Sequence, residues 1–169
     1  MNTRQRILVV AGLLGLVVVG TVLAFPPAQF VDPGDYDNTP IPIVDENGTE
    51  LATVDARIAD TQDKRYIGLR RTETLSDGEG MFFVHDSDGE KPYVMPPEMS
   101  FPLDIVFIAP NGTIREIRYA DVPEGDNTLR YPGRGKYVLE VPRGYTNQTG
   151  IGPGDRVIVP ENHTEPAGG

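Results

Sequence analysis

Cysteine and tryptophan are absent from this 169-residue chain, histidine occurs only at His85 and His163, and just three basic residues are lysine (Lys64, Lys91, Lys136). Without cysteine there is no disulfide, no thiolate nucleophile, no cysteine-based zinc or iron–sulfur site and no cysteine for lipid attachment. A serine–histidine–aspartate triad has little to draw on, since Ser76, Ser87 and Ser100 lie in no nucleophile-elbow context. The chemistry that is left belongs to carboxylates, hydroxyls and guanidinium groups. No cofactor or metal is expected; the acidic run Asp86-Ser87-Asp88-Gly89-Glu90 lacks the full calcium-loop pattern and reads as a solvated hairpin.

Positive charge is also scarce. Against 25 Asp and Glu stand 15 Lys and Arg, a net charge of −10. Such a surface repels nucleic acid, which is excluded as an expected partner. The acid-rich, lysine-poor balance resembles that of proteins from salt-loving archaea and predicts a fold that needs salt to screen its self-repulsion.

What the chain does have is one long apolar run. Residues 7–25 carry no charge, and as a helix they reach ~28 Å, close to the ~30 Å hydrocarbon core of a bilayer. Arg4 and Arg6 precede the run and Asp32, Asp35 and Asp37 follow it, so a single-pass anchor has its N-terminus in the cytoplasm and the rest of the chain outside. The alternative is secretion after cleavage near Ala24. Four of the seven asparagines stand in glycosylation sequons, at Asn47, Asn111, Asn147 and Asn162, all beyond the apolar run. For Asn47 and Asn111 the Asn-Gly-Thr triplet also serves as turn chemistry.

The reading divides the chain into an anchor (1–25), a Pro- and Asp-rich unfolded spacer (26–50), a β domain (51–160) and a polar tail (161–169). From Leu51 to Ile58, Val54, Ala56 and Ile58 alternate with Asp55 and Arg57, the period of a half-buried strand. Thr61 with Asp63, closed by Gly68, predicts a short helix. Six further apolar runs bounded by Gly, Pro, Asp or Asn follow, with a hairpin signal at Pro110-Asn111-Gly112. The expected fold is mainly β: a compact barrel-like or sandwich-like domain of about seven short strands and one or two short helices, preceded by one transmembrane helix.

The landmarks run in order: Ala56-Arg57-Ile58-Ala59, Arg65-Tyr66-Ile67-Gly68-Leu69, Gly80-Met81-Phe82-Phe83-Val84, Met95, Pro102-Leu103-Asp104-Ile105, Tyr137-Val138-Leu139-Glu140-Val141, and Gly150-Ile151 to Gly154-Asp155. Over residues 51–159 this series resembles the domain of unknown function 192 family. The resemblance implies a compact, mostly β domain, often exported or membrane-tethered, without an established activity. Two stretches depart from that family's pattern: Tyr93 to Ser100, before the Pro-Leu-Asp, and Arg70 to Thr72, after the Gly-Leu.

The candidate site residues are Asp104, at the start of the most apolar strand, and Glu140, in the middle of another. A carboxylate among apolar neighbours faces solvent, holds a partner such as a backbone N–H or Arg57, Arg71 or Arg115, or serves a ligand. Met95 belongs to a group with Met81, Phe82, Phe83, Met99 and Phe101 that forms either core or an apolar pocket. The ligand-binding set is thus Asp104, Glu140, Met95 and Arg71, and Tyr93, Tyr119, Tyr131 and Tyr137 offer ring faces for sugars. The leading functional reading is a non-enzymatic, membrane-anchored, outward-facing module for a cell-envelope component, a glycan or a small ligand with apolar and polar parts. A rival is a hydrolase of envelope polymers, whose carboxyls Asp104 and Glu140 would have to share one cleft. A third is a structural or assembly module for an unidentified membrane partner, although Gly12, Gly15 and Gly20 form no Gly-x-x-x-Gly pair.

Overall fold

The computed structural model describes residues 27–164; the apolar run 7–25, and with it the expected transmembrane helix, lies outside them. Among the described residues no helix is long and apolar enough to cross a membrane. The described chain forms strands β1 (Asn38–Val44), β2 (Glu50–Ala59), β3 (Glu79–Val84), β4 (Glu90–Met95), β5 (Leu103–Ile108), β6 (Ile114–Ala120), β7 (Leu129–Arg134), β8 (Tyr137–Pro142) and β9 (Arg156–Val157). Two short helices, α1 (Gln62–Ile67) and α2 (Tyr145–Thr149), complete it.

Seven strands make one sheet in the order β6-β5-β8-β3-β2-β1-β9, curled into a half-barrel, and β4 with β7 forms a separate two-stranded ribbon. Among the described strands only the β2–β3 pair is parallel. An isolated bridge between Thr113 and Arg156 joins the two ends of the sheet at one corner. The bend beside it coincides with a register shift at Phe107/Ile108, the place of the Pro110-Asn111-Gly112 hairpin.

Alternation along the strands separates two cores. Ile41, Val54, Phe82, Val106, Leu139 and Val157 belong to one cluster to which all seven strands contribute, as the inside of a curled sheet requires. Met81, Phe83, Leu103, Ile105, Phe107 and Val138 point the other way, into a second cluster that also takes in Met95 and Met99. The β4–β7 ribbon covers this outer face, with Tyr93 edge-on to Phe83 (5.4 Å between centroids) and Phe107 (5.6 Å). β7 lies so close that a Cβ at Gly133 would come within 2.6 Å of the Phe107 ring.

The segment read as an unfolded spacer contains β1, whose Ile41 and Ile43 are fully buried and which pairs with β2 along its whole length. Pro40 and Pro42 are compatible with this because they share the orientation in which Pro42 O accepts from Ile158 N, away from β2, so no β1–β2 bond needs their missing N–H. The strand count is nine among the described residues rather than about seven, and β7 (Leu-Arg-Tyr-Pro-Gly-Arg) was hidden by its own Pro-Gly. Ahead of β1 the chain is also held down, because Arg71 Nη2 donates to the carbonyls of Ala28 and Val31.

Candidate functional site

Asp104 and Glu140 stand on neighbouring strands one register step apart. Ile105 faces Glu140 across the β5–β8 pair and Asp104 faces Val141. Directly opposed residues share a face and successive ones alternate, so the two carboxyls lie on opposite faces of the sheet. They do not share a cleft, which removes the geometric premise of the paired-carboxylate hydrolase.

Asp104, fully buried, is satisfied on the inner face. Gly144 N lies 3.1 Å from both carboxylate oxygens, and Oδ2 also accepts from Thr146 N (3.1 Å) and Thr146 Oγ1 (2.6 Å). Arg143 Nε stands 3.8 Å away. Gly144 has φ +88°, a conformation that turns its N–H toward Asp104 and that a glycine adopts without strain. The carboxylate thereby fixes the start of α2, whose Tyr145 packs into the inner core. This is a structural role, held by backbone donors and by Arg143 rather than by Arg57, Arg71 or Arg115.

Glu140 points to the outer face, into a cleft of about 250 Å³ between the α1 turn and β4. Thr61 caps α1, its Oγ1 accepting from Lys64 N (3.2 Å), and Gly68 ends it at φ +51°, as the sequence signals required. That short turn brings Arg65 and Arg70 to one side of the cleft. Arg65 is locked by the carbonyls of Asp60 (2.8 Å) and Val84 (2.7 Å), and Arg70 donates to Tyr66 O with its guanidinium 5.0 Å from the Tyr66 ring. From β4, Lys91, Tyr93 and Met95 face the same space, and Phe83, Met99 and Leu103 complete its apolar walls.

Burial pushes the Glu140 carboxyl up to about 8, against the pull of the Arg70 charge, so it is protonated at neutral pH. Among the described residues Arg70 is the only charge that opposes this rise. His85 is pushed down to about 4, by burial first and then by the charges of Lys91 and Arg65, with Asp86 opposing. Its Nε2 lies 3.0 Å from Tyr93 Oη. The Tyr93 phenol is raised well above its usual value by burial and by Glu140, partly offset by Arg65. At pH 7 the cleft therefore holds a neutral carboxyl, a neutral imidazole and a neutral phenol, rimmed by cations.

Of the four residues expected to bind ligand, Glu140 and Met95 come together here, while Asp104 and Arg71 lie elsewhere. Arg71, Arg57, Asp55 and Glu79 line a separate polar depression. Tyr137 is fully buried, stacked on Phe82, and offers no face to a sugar. The sequence singles out Tyr93 only as a ring face for sugars and does not mark Arg65, Arg70, His85 or Lys91 as site residues. One signal was present, because Lys91, Tyr93 and Met95 alternate and so must share a strand face. Both stretches that depart from the family pattern contribute to the cleft walls, through Arg70 and through Tyr93 to Pro96 and Met99.

None of the curated proteins matches the chain. Two solved structures share its fold. One, from Sinorhizobium meliloti 1021 and provisionally described as a transcription regulator, is 27% identical with a TM-score of 0.62, covering 75% of this chain and 97% of its own. The other, from Novosphingobium aromaticivorans DSM 12444 and described as of unknown function, is 25% identical with a TM-score of 0.63, covering 80% and 99%. The model of a family of uncharacterised proteins, DUF192 (Uncharacterized ACR), matches residues 43–159. With strands β2 to β9, the landmarks and the cleft all falling inside that span, the chain belongs to the DUF192 family.

Proposed function

We propose that this protein is a non-enzymatic binding module, anchored to the membrane through residues 7–25 and facing outward, whose outer-face cleft takes a small envelope-side ligand with an apolar body and a polar group. The observation that carries this reading is Glu140, 6% exposed, lining the cleft floor with no hydrogen-bond partner among the described residues. A fold that retains such a group at the bottom of an accessible cleft is arranged to meet a ligand there. No second carboxylate shares the cleft among the described residues, so paired acid–base catalysis has no support.

The topology rests on the uncharged run, the arginines before it and the aspartates after it. Asn47, Asn111, Asn147 and Asn162 are all exposed, as acceptors of external glycosylation must be. The acidic, lysine-poor composition supports an origin in a salt-loving archaeon and disfavours nucleic acid as a partner.

The test is a thermal-shift screen of the full chain, in molar salt, against envelope sugars, short alcohols, amines and carboxylic acids. A true ligand at 100 times its Kd adds about 2.7 kcal/mol. Expected is a saturable rise that Glu140→Leu abolishes in a chain that still melts cooperatively. Saturable binding that is indifferent to Glu140→Leu, or no binding across the panel, overturns the reading.

A further inference from the structure

We propose that the ligand is a small organic carboxylate, its apolar body against Phe83, Met95, Met99 and Leu103 and its carboxylate seated between the Arg70 guanidinium and the Glu140 carboxyl. This deepens the binding-module reading and rests on it.

The first support is the sorting of charge. In a chain with 25 acidic residues and a net charge of −10, the cleft is lined by Arg65, Arg70 and Lys91 and by a single acid, Glu140. A cationic patch on an acidic molecule concentrates anions locally.

The second support is what those groups already do. Arg65 is committed to two backbone carbonyls, with Asp86 at 3.9 Å. Lys91 Nζ donates to Ser87 O. Arg70 gives one N–H to Tyr66 O, and among the described residues its guanidinium has no ion-pair partner, which leaves further donors of its fork open. Glu140 feels the Arg70 charge without hydrogen-bonding to it. An unpaired cation and an unpaired acid thus bound one space.

Chemistry selects the head group. A carboxylate accepts from Arg70 and, with its second oxygen, from the Glu140 O–H, so both open valences close at once. An amine would pair with an ionised Glu140 but would enter against three cations. An alcohol would satisfy Glu140 and leave Arg70 as it was. The volume of about 250 Å³ and the apolar walls limit the body to a short chain or a single ring.

Because Glu140 donates only while protonated, the affinity has a defined pH dependence. The other titratable or charged groups in the cleft are Arg65, Tyr66 and Arg70 on the α1 side, His85 after β3, and Lys91 and Tyr93 on β4. His85 has already lost its proton by pH 6, and Tyr93 keeps its own beyond 10.

The experiment is calorimetric titration of the full chain with hexanoate, hexylamine and hexanol at constant ionic strength, from pH 6 to 9.5. Expected is hexanoate binding at least about tenfold tighter than hexanol, the ratio of one charge-assisted hydrogen bond, with no hexylamine binding. Hexanoate affinity should be level at pH 6 to 7 and fall about tenfold per unit above 8, and that fall should vanish in Glu140→Gln, whose amide still donates. Arg70→Met should weaken hexanoate about tenfold and leave hexanol unchanged. Preference for hexylamine, or equal binding of hexanol and hexanoate, overturns the carboxylate assignment and leaves the binding module standing. Failure of all three probes on the wild-type chain overturns both.

Discussion

Two carboxyls set one residue out of register on adjacent strands make different use of the same sheet. Asp104 faces inward and is surrounded by donors, with Gly144 N, Thr146 N and Thr146 Oγ1 all aimed at it. Glu140 faces outward into the cleft, is almost as deeply buried, and among the described residues has the Arg70 guanidinium as its one favourable charge. The period-two alternation of a strand is enough to send one acid into the scaffold and the other into a site. Burial alone therefore does not mark function; burial without a partner, at the floor of an accessible cleft, does.

The two carboxyls differ most in their response to pH. An acid raised from 4.5 to about 8 by folding keeps its proton in the folded chain where the unfolded chain has released it. Stability then falls as pH rises from 4.5 to 8 and is level on either side of that window. At ~1.4 kcal/mol per unit the ceiling is ~5 kcal/mol. Glu140→Gln lacks this slope, so its unfolding free energy relative to wild type should climb by several kcal/mol between pH 4.5 and 9 in denaturant titrations. His85, depressed to about 4, gives the opposite slope, with stability lost as pH falls below 6.5. That slope is present in both chains and cancels in the difference. Parallel curves for wild type and Glu140→Gln would erase the contrast with Asp104.

Asp104→Ala tests the other half. It leaves the donors of Gly144 and Thr146 without their acceptor and should destabilise the fold by about 3 kcal/mol, read as a lower denaturation midpoint. The hexanoate affinity of the folded variant should stay within about twofold of wild type. A smaller effect comes from Gly133→Ala, where the new Cβ meets the Phe107 ring and must lift β7. Expected is a loss of about 1–3 kcal/mol, with weaker ligand binding, because β7 carries β4 and its cleft wall. Unchanged binding in that variant would separate the ribbon from the site.

The elements legible in the sequence were those whose local signals agree. β2 showed its alternation, α1 its Thr61 cap and Gly68 stop, and the β5–β6 hairpin its Pro-Asn-Gly. β1 and β7 were hidden because proline normally argues against a strand. Both tolerate it: in β1 Pro40 and Pro42 turn away from β2, and in β7 Pro132 stands opposite Pro92 in a ribbon of only two strands. For the site, Glu140 could be named as a carboxyl in an apolar strand, but nothing local says which face it takes. That depends on the β5–β8 register, a long-range property. Arg70 and His85 reach the cleft from separate turns, and only the closed tertiary structure brings them to Glu140.

The most direct test is a carbon-13 NMR titration of the glutamate side-chain carboxyls in the full chain, with Glu140→Gln identifying the Glu140 resonance. Expected is a midpoint near 8 for this carboxyl, rising further in the presence of hexanoate. A midpoint near 4.5, unmoved by hexanoate, would contradict it.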